Sequence, residues 1–350
     1  MKRRTFVAGL TAVAATRKVL AGAGVDKCRV GICAYSCHQH WNAVQANLPC
    51  AKFHDAFGFY EYARSLGAEG VQNPLRTTDP AIARKLRAKV EEDGGYYEGD
   101  VKLPKTESDL AAFEADVRLA REAGATIARS VFMGTRRYEV FKTMDEFRAF
   151  HALAEKSLSL AEPIISKHRL KLALENHKDH TADELAGMMR RVSSEWIGVL
   201  VDVGNNVALL EKPEETVETL APFALSVHLK DMAVQVADDG FLLSEVPLGT
   251  GISALMRIIA TLRKAKPDIV FNLEMITRNP LHVPCLGENY FATFPERKAA
   301  RLEPMMQWVR THPPAASPPS IEGKEPPQIV LEEERNNRDS LAWMNQHLRA

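Results

Sequence analysis

The chain has 350 residues, 45% of them hydrophobic, with equal numbers of acidic and basic side chains. That length suffices for one large domain with a substantial core, and the balanced charge provides no basic surface for a nucleic-acid backbone. The partner expected on these grounds is a small molecule.

Residues 1–15 (MKRRTFVAGLTAVAA) have a basic start and then an apolar run too short to span a bilayer, which is the layout of an export signal. Arg3–Val7 (RRTFV) resembles the twin-arginine motif, and Ala21, Gly22 and Ala23 offer a small-residue cleavage site. Residues 1–27 are therefore expected to be a leader that sends the protein to the periplasm; without a working signal it would stay in the cytoplasm. The five cysteines, Cys28, Cys33, Cys37, Cys50 and Cys285, leave at least one thiol free. Cys33, Cys37, His38 and His40 lie close together but match no standard zinc spacing, so packing and pocket lining are expected there.

From Arg29 the chain alternates strand-like and helical stretches. Arg29–Ser36 reads as a strand, Ala56–Leu66 as a helix and Gly67–Gln72 as a helix stop running into a short strand, by the usual apolar and turn signals. Pro80–Glu92 is helical, Tyr96–Leu103 a strand, a helix begins at Ser108, and Ala125–Phe132 is the fourth strand before the long amphipathic helix Met144–Lys167.

Four segments of one design follow: Lys171–His177 (KLALENH), Ile197–Asn205 (IGVLVDVGN), Ala224–Asp231 (ALSVHLKD) and Ile269–Ile276 (IVFNLEMI). Each is an apolar run ending on one metal-competent residue, namely Glu175, Asp202, His228 and Glu274. Counting back in twos from these residues gives mostly small or polar side chains, while the other parity is aliphatic or aromatic, so one face is apolar and the other points to an axis. Helices near Thr181–Val192, Pro213–Leu220 and Ser253–Ala265 separate the strands, and a last helix covers Glu296–Arg310. Strand–helix alternation on this scale predicts a (β/α)8 TIM barrel over residues 28–312. Two long connections, Met232–Gly251 and Thr277–Pro295, leave the ligand end and are expected to act as lids. Residues 313–350 read as a Pro-rich linker and a C-terminal helix whose apolar set is Val330, Leu331, Leu341, Met344 and Leu348. That helix is expected to dock on the barrel or on a second copy of the chain.

Three carboxylates and an imidazole meeting at one barrel mouth repel one another unless a cation joins them. Mostly oxygen donors with one imidazole suit manganese, magnesium or cobalt, and zinc fits as well.

The motifs Leu174–His177 (LENH), Val201–Asn205 (VDVGN), Val227–Asp231 (VHLKD) and Asn272–Glu274 (NLE) resemble the sugar phosphate isomerase/epimerase superfamily, the xylose-isomerase-like TIM barrels. The resemblance implies that Glu175, Asp202, His228 and Glu274 hold one divalent metal against two neighbouring oxygens of a keto-sugar. Glu175 and Glu274 then take and return the proton between them, giving an isomerase or epimerase that works through a metal-stabilised enediolate. Epimerases of the family usually carry a histidine three residues after the metal aspartate, where this chain has Asn205. They also carry an arginine soon after the metal histidine, where it has only Lys230. Asparagine cannot shuttle a proton, and Lys230 is able to hold a carboxylate or act as an acid, so dehydratase, lyase or decarboxylase chemistry on a sugar-derived keto acid or inosose is the alternative. Against a substrate role, Lys230 has Asp231 and Glu245 nearby in sequence as ordinary ion-pair partners.

Further substrate-binding candidates are His177, on the strand face of Glu175, and Arg129 near the end of the fourth strand. His38, His40, Arg278 and His282 are candidates for lining the pocket, Gly249–Gly251 offers a weak phosphate site, and Cys285 has no activating neighbour. Two rivals remain: cleavage at abasic DNA, disfavoured because no histidine lies between His228 and Glu274, and a barrel that binds sugar without turning it over.

Overall fold

Short aliphatic runs form the strands of the barrel. The computed structural model describes residues 28–349, and the leader reading falls on residues 1–27, outside them. The strands are β1 (Val30–Cys33), β2 (Gly70–Gln72), β3 (Tyr96–Asp100), β4 (Ile127–Ser130), β5 (Lys171–Glu175), β6 (Ile197–Asp202), β7 (Ala224–Leu229), β8 (Asp231–Ala237), β9 (Gly240–Val246), β10 (Phe271–Leu273) and β11 (Leu281–Val283). Eight of them close a parallel barrel in the order β1, β10, β7, β6, β5, β4, β3, β2. Leu172, Leu174, Val199, Val201, Val227 and Phe271 point outward and are fully buried, as a parallel sheet sheathed by helices requires.

The helices are α1 (His38–Gln45), α2 (Ala56–Ser65), α3 (Pro80–Glu92), α4 (Leu110–Glu122), α5 (Arg137–Val140), α6 (Met144–His168), α7 (Ala182–Val192), α8 (Pro213–Leu220), α9 (Leu255–Ala265), α10 (Arg297–Thr311) and α11 (Pro326–Leu348). Asp79 caps α3 and Pro80 fills its first turn, while Thr143 with Glu146 and Thr181 with Glu184 form capping boxes on α6 and α7, satisfying amides that have no partner inside a helix. Among the described residues, no helix is long and apolar enough to cross a membrane.

The barrel axis is polar. Tyr96 reaches across it to Asn272 Oδ1 (2.8 Å), and a Cβ at Gly31 would lie 1.9 Å from the Tyr96 hydroxyl. Glycine at position 31 makes room for the ring.

The two long connections expected as lids join into one substructure. β8 and β9 form an antiparallel hairpin and β11 adds a third strand. Met232, Val234, Phe241 and Leu243 alternate into a second core with Phe291, Phe294, Met305 and Met306. Arg137, fully buried, ties this unit to the barrel by donating to Thr293 and Glu184.

The eighth helix position is filled from an unexpected place. α10 packs on β8 of the small sheet, whereas α11 lies against α1, β1 and β10. The buried face of α11 contains Val330, Leu341, Met344 and Leu348, while Leu331, included in its expected apolar set, is 63% exposed. Leu331 sits one residue off the 3–4 spacing of that face. Polar contacts fix the register: Glu333 accepts from Gln39 N (2.6 Å) and His40 N (3.0 Å) at the start of α1 and pairs with His40 Nδ1 (2.6 Å). Asn337 donates to Ser36 O (2.7 Å), and Cys28 N donates to Leu348 O (3.1 Å).

If α11 is an integral barrel helix, Leu341→Ala should lower the unfolding free energy by about 2–5 kcal/mol, as deletion of a fully buried leucine side chain does elsewhere. A urea titration that leaves the midpoint unchanged would rule this out.

Candidate metal centre

Register brings the four strand-terminal residues together. Asp202 lies level with His228, and His228 with Asn272, so Glu274, two residues beyond Asn272 and just past the end of β10, projects on the same face. One donor atom from each of Glu175, Asp202, His228 and Glu274 lies within 4.8 Å of the others, and all four residues are buried. His228 Nδ1 stands 3.6 Å from Glu175 Oε2, 3.8 Å from Asp202 Oδ2 and 3.5 Å from Glu274 Oε1. It has no hydrogen-bond partner among the described residues. Donors around a divalent ion at ~2.1 Å sit roughly 3–4 Å apart, so this spacing suits a hard cation with oxygen ligands.

The same crowding sets the electrostatics. Burial opposes a charged imidazole, yet Glu274 and its neighbours outweigh burial and hold His228 well above the usual histidine range. Burial likewise works against ionised Glu274, but Lys230 and His228 keep its carboxyl well below the usual range. Glu175 is lowered to about 2, because Arg129 and His228 overcome burial. All three results have one cause: carboxylates in a dry site draw in every available positive charge.

A second layer orients the donors. His228 Nε2 lies 2.6 Å from Gln72 Oε1, and Gln72 Nε2 donates to Glu98 Oε2 (2.7 Å). Glu98 can only accept from that amide, so the carbonyl of Gln72 faces His228, Nε2 carries the proton and Nδ1 is turned to the carboxylates. Asn176 clamps β6 by accepting from Asp202 N and donating to Asp202 O, both at 2.8 Å.

A cavity of about 410 Å³ opens beside the cluster. Arg129, His177, Asn205, Lys230 and Glu274 all line it. Arg129 does so as part of an ion-pair chain, with Nε 2.5 Å from Glu175 Oε2 and its terminal nitrogen 2.7 Å from Asp100. Lys230 is paired with neither expected neighbour at short range: it meets Glu274 and Asp202 (2.8 Å), with Glu245 at 3.9 Å. Asn205 donates to Glu175 Oε1 (2.9 Å) and accepts from Lys178.

Other candidates divide. His38 and Arg278 line the cavity, the latter paired with Glu245 (2.6 Å). His40 does not: its Nδ1 turns to Glu333 beneath α11. His282 pairs with Asp239 on the exposed sheet edge. The amides of Gly249, Gly251 and Ser253 all donate to Asp231, so the expected phosphate loop is occupied by a carboxylate of the chain itself, and α9 starts two residues later than expected. Cys285 is buried against Met306, and burial pushes its thiol up to about 12.

Sequence reasoning missed Gln72, Glu98, Asp100 and Lys178. Gln72 had a usable signal, since it ends β2 as Glu175 ends β5 and Asp202 ends β6.

Replacing Lys230 with methionine leaves Asp202 and Glu274 buried without their shared counter-ion. Chelator-treated Lys230→Met protein should therefore be about 3–5 kcal/mol less stable than wild type, and equal denaturation midpoints would contradict this account of the charges.

The comparisons agree with the geometry of the fold. Among curated proteins the chain is similar to 3-oxo-isoapionate decarboxylase of Pectobacterium atrosepticum, 28% identical over 109 residues, 31% of this chain and 40% of that protein. It is also similar to the uncharacterized protein YihM of Escherichia coli, 24% identical over 135 residues, 39% of each chain. The chain thus spans about two fifths of the length of these relatives. Among solved structures, D-psicose 3-epimerase of Clostridium cellulolyticum H10 with D-tagatose superposes with a TM-score of 0.59 at 11% identity, over 92% of this chain and 100% of that one. The probable 3-DHS dehydratase AsbF of Bacillus anthracis gives 0.51 at 15%, over 81% and 98%. These structural likenesses establish the fold. The sequence model of the xylose isomerase-like TIM barrels matches residues 60–311, and the chain belongs to that family.

Proposed function

We propose that the chain is a divalent-metal-dependent enzyme that moves a proton next to the carbonyl of a keto-sugar or sugar derivative. The observation that carries this is the ring of three carboxylate oxygens 3.5–3.8 Å from His228 Nδ1, with the imidazole turned toward them by Gln72. Glu175, Asp202, His228 and Glu274 would hold the ion, and manganese, magnesium or cobalt suits the donor set, with zinc also acceptable. Bound there, it supplies Lewis acidity that lowers the cost of negative charge on the substrate's carbonyl oxygen.

The remaining steps belong to the chain. Glu175 and Glu274 are the two carboxylates able to take the proton from the carbon beside the carbonyl and return it. Arg129 holds Glu175 from behind and Asn205 fixes its second oxygen, so its approach to the substrate is set before binding. Lys230 carries a proton beside Glu274, and His177 and Asn205 face the cavity as hydroxyl partners.

One observation favours a second reading. Lys230 is a buried acid between Asp202 and Glu274, and Asn205 stands where proton shuttling would need a histidine. A fixed acid serves elimination or decarboxylation, in which a carbanion formed by loss of carbon dioxide must be protonated. The partial likeness to 3-oxo-isoapionate decarboxylase points the same way.

Proton NMR in deuterated water separates these outcomes when metal-loaded protein meets a panel of ketoses and 3-oxo aldonates. Deuterium at the carbon beside the carbonyl of a substrate that keeps all its carbons supports isomerisation or epimerisation. Release of carbon dioxide supports the second reading. Neither reaction on any substrate, with sugar binding still detected, would leave a non-catalytic barrel. Independently, Gln72→Met should weaken metal affinity by ~10- to 100-fold, read by titration with a competing chelator; undiminished affinity would remove Gln72 from the account of the site.

A further inference from the structure

Five arginine and lysine side chains line the cavity: Arg129, Arg136, Lys178, Lys230 and Arg278. Four of them already have carboxylate partners. Arg129 meets Glu175 and Asp100, Arg136 meets Glu139, Lys230 meets Asp202 and Glu274, and Arg278 meets Glu245. Lys178 is the exception. It is 5% exposed, its ammonium donates to the side-chain oxygen of Asn205, and no carboxylate of the described residues lies within ion-pairing distance of it. Its backbone is left-handed, with φ at +62°, a conformation that a side chain of this size rarely adopts without the surroundings imposing it. The fold thus holds a buried cation at the pocket wall and gives it no counter-charge, a costly arrangement.

We infer that Lys178 receives a carboxylate of the substrate, so that the pocket takes a sugar-derived acid in preference to a neutral ketose. The inference rests on the reading that a keto-sugar occupies this cavity, and it specifies that sugar's charge. An incoming carboxylate would pair with the ammonium and relieve its repulsion from Lys230 and Arg278. Burial, with these two cations, already lowers Lys178 to about 8, so the lysine remains mostly charged near neutral pH. A phosphate dianion asks for several donors at once, and the amides of Gly249, Gly251 and Ser253 are taken by Asp231. A carboxylate needs fewer. The cavity of about 410 Å³ is within the size range of small-ligand sites.

Calorimetric titration of the manganese-loaded full chain with D-ribonate, ribitol and D-ribulose 5-phosphate tests this, using wild type, Lys178→Met and Lys178→Arg. In wild type, ribonate should bind at least about tenfold tighter than ribitol, equivalent to about 1.4 kcal/mol. Lys178→Met should bring the two within about twofold, and Lys178→Arg should retain most of the preference. Without ligand, Lys178→Met should melt no lower than wild type, because it removes an uncompensated buried charge; a lower melting temperature would assign Lys178 a structural role and overturn the inference. Equal affinity or no binding of ribonate and ribitol in wild type, a preference that survives in Lys178→Met, or tighter binding of the phosphate would each overturn it too. Metal content is measured on the same samples. If no metal is held while the ribonate preference still depends on Lys178, the metal reading fails and this one stands.

Discussion

The mutual repulsion of Glu175, Asp202 and Glu274 around one imidazole governs everything near the mouth of this barrel. The three carboxylates are each no more than 3% exposed, and a single unpaired buried carboxylate already costs several kcal/mol. Their neighbours answer that cost together: Lys230 bridges Asp202 and Glu274, Arg129 backs Glu175, and His228, a little farther off, is held well above the usual histidine range by the carboxylates around it. A divalent cation held by Glu175, Asp202, His228 and Glu274 would answer the same repulsion, taking the place of the positive charge that the carboxylates draw onto His228.

The scaffold meets this demand through strand ends and a second layer. Parallel strands in register deliver one donor each, and the hydrogen bonds running from His228 through Gln72 to Glu98 keep the imidazole from turning away. The same logic extends to the C-terminus. α11 places Glu333 under the start of α1, which fixes the helix whose residues His38 and Gln39 line the cavity, and Ile321 from the preceding Pro-rich segment lines it as well. A stretch of chain beyond the family match at 60–311 therefore helps to shape the pocket.

The barrel and the four ends at its mouth were legible because each depends on local pattern. Glu175, Asp202, His228 and Glu274 each close an apolar run of period two, and repetition made the set stand out. Gln72 and His228 are 156 residues apart, and nothing local to either announces their hydrogen bond. Which helix fills the eighth position is hidden from the sequence for a similar reason. α10 and α11 are both helical by periodicity, and which one covers β1 depends on Glu333, Asn337 and Leu341 finding partners near the other end of the chain. Leu331 was counted as core because apolarity alone does not reveal a helix face. Lys178 gives no signal although it directly follows the segment that carries Glu175, since a lysine after a strand ordinarily reads as solvated.

Asn205 shows how these pieces connect. Its amide nitrogen faces Glu175 and its carbonyl oxygen faces Lys178. A carboxylate can only accept and an ammonium can only donate, so the two partners fix which way the amide points. Asn205 therefore couples a candidate metal ligand to the lysine of the pocket through one rigid group. A histidine at the same position would titrate, and its orientation would change with its protonation state. Asparagine gives up proton transfer and holds Glu175 and Lys178 in one geometry across the whole range in which the glutamate is ionised. The amide at position 205 and the cation at position 178, which has no carboxylate partner among the described residues, act as one unit. It keeps a carboxylate aimed at the cluster and an ammonium aimed at the cavity, with their separation set by a side chain that cannot change charge.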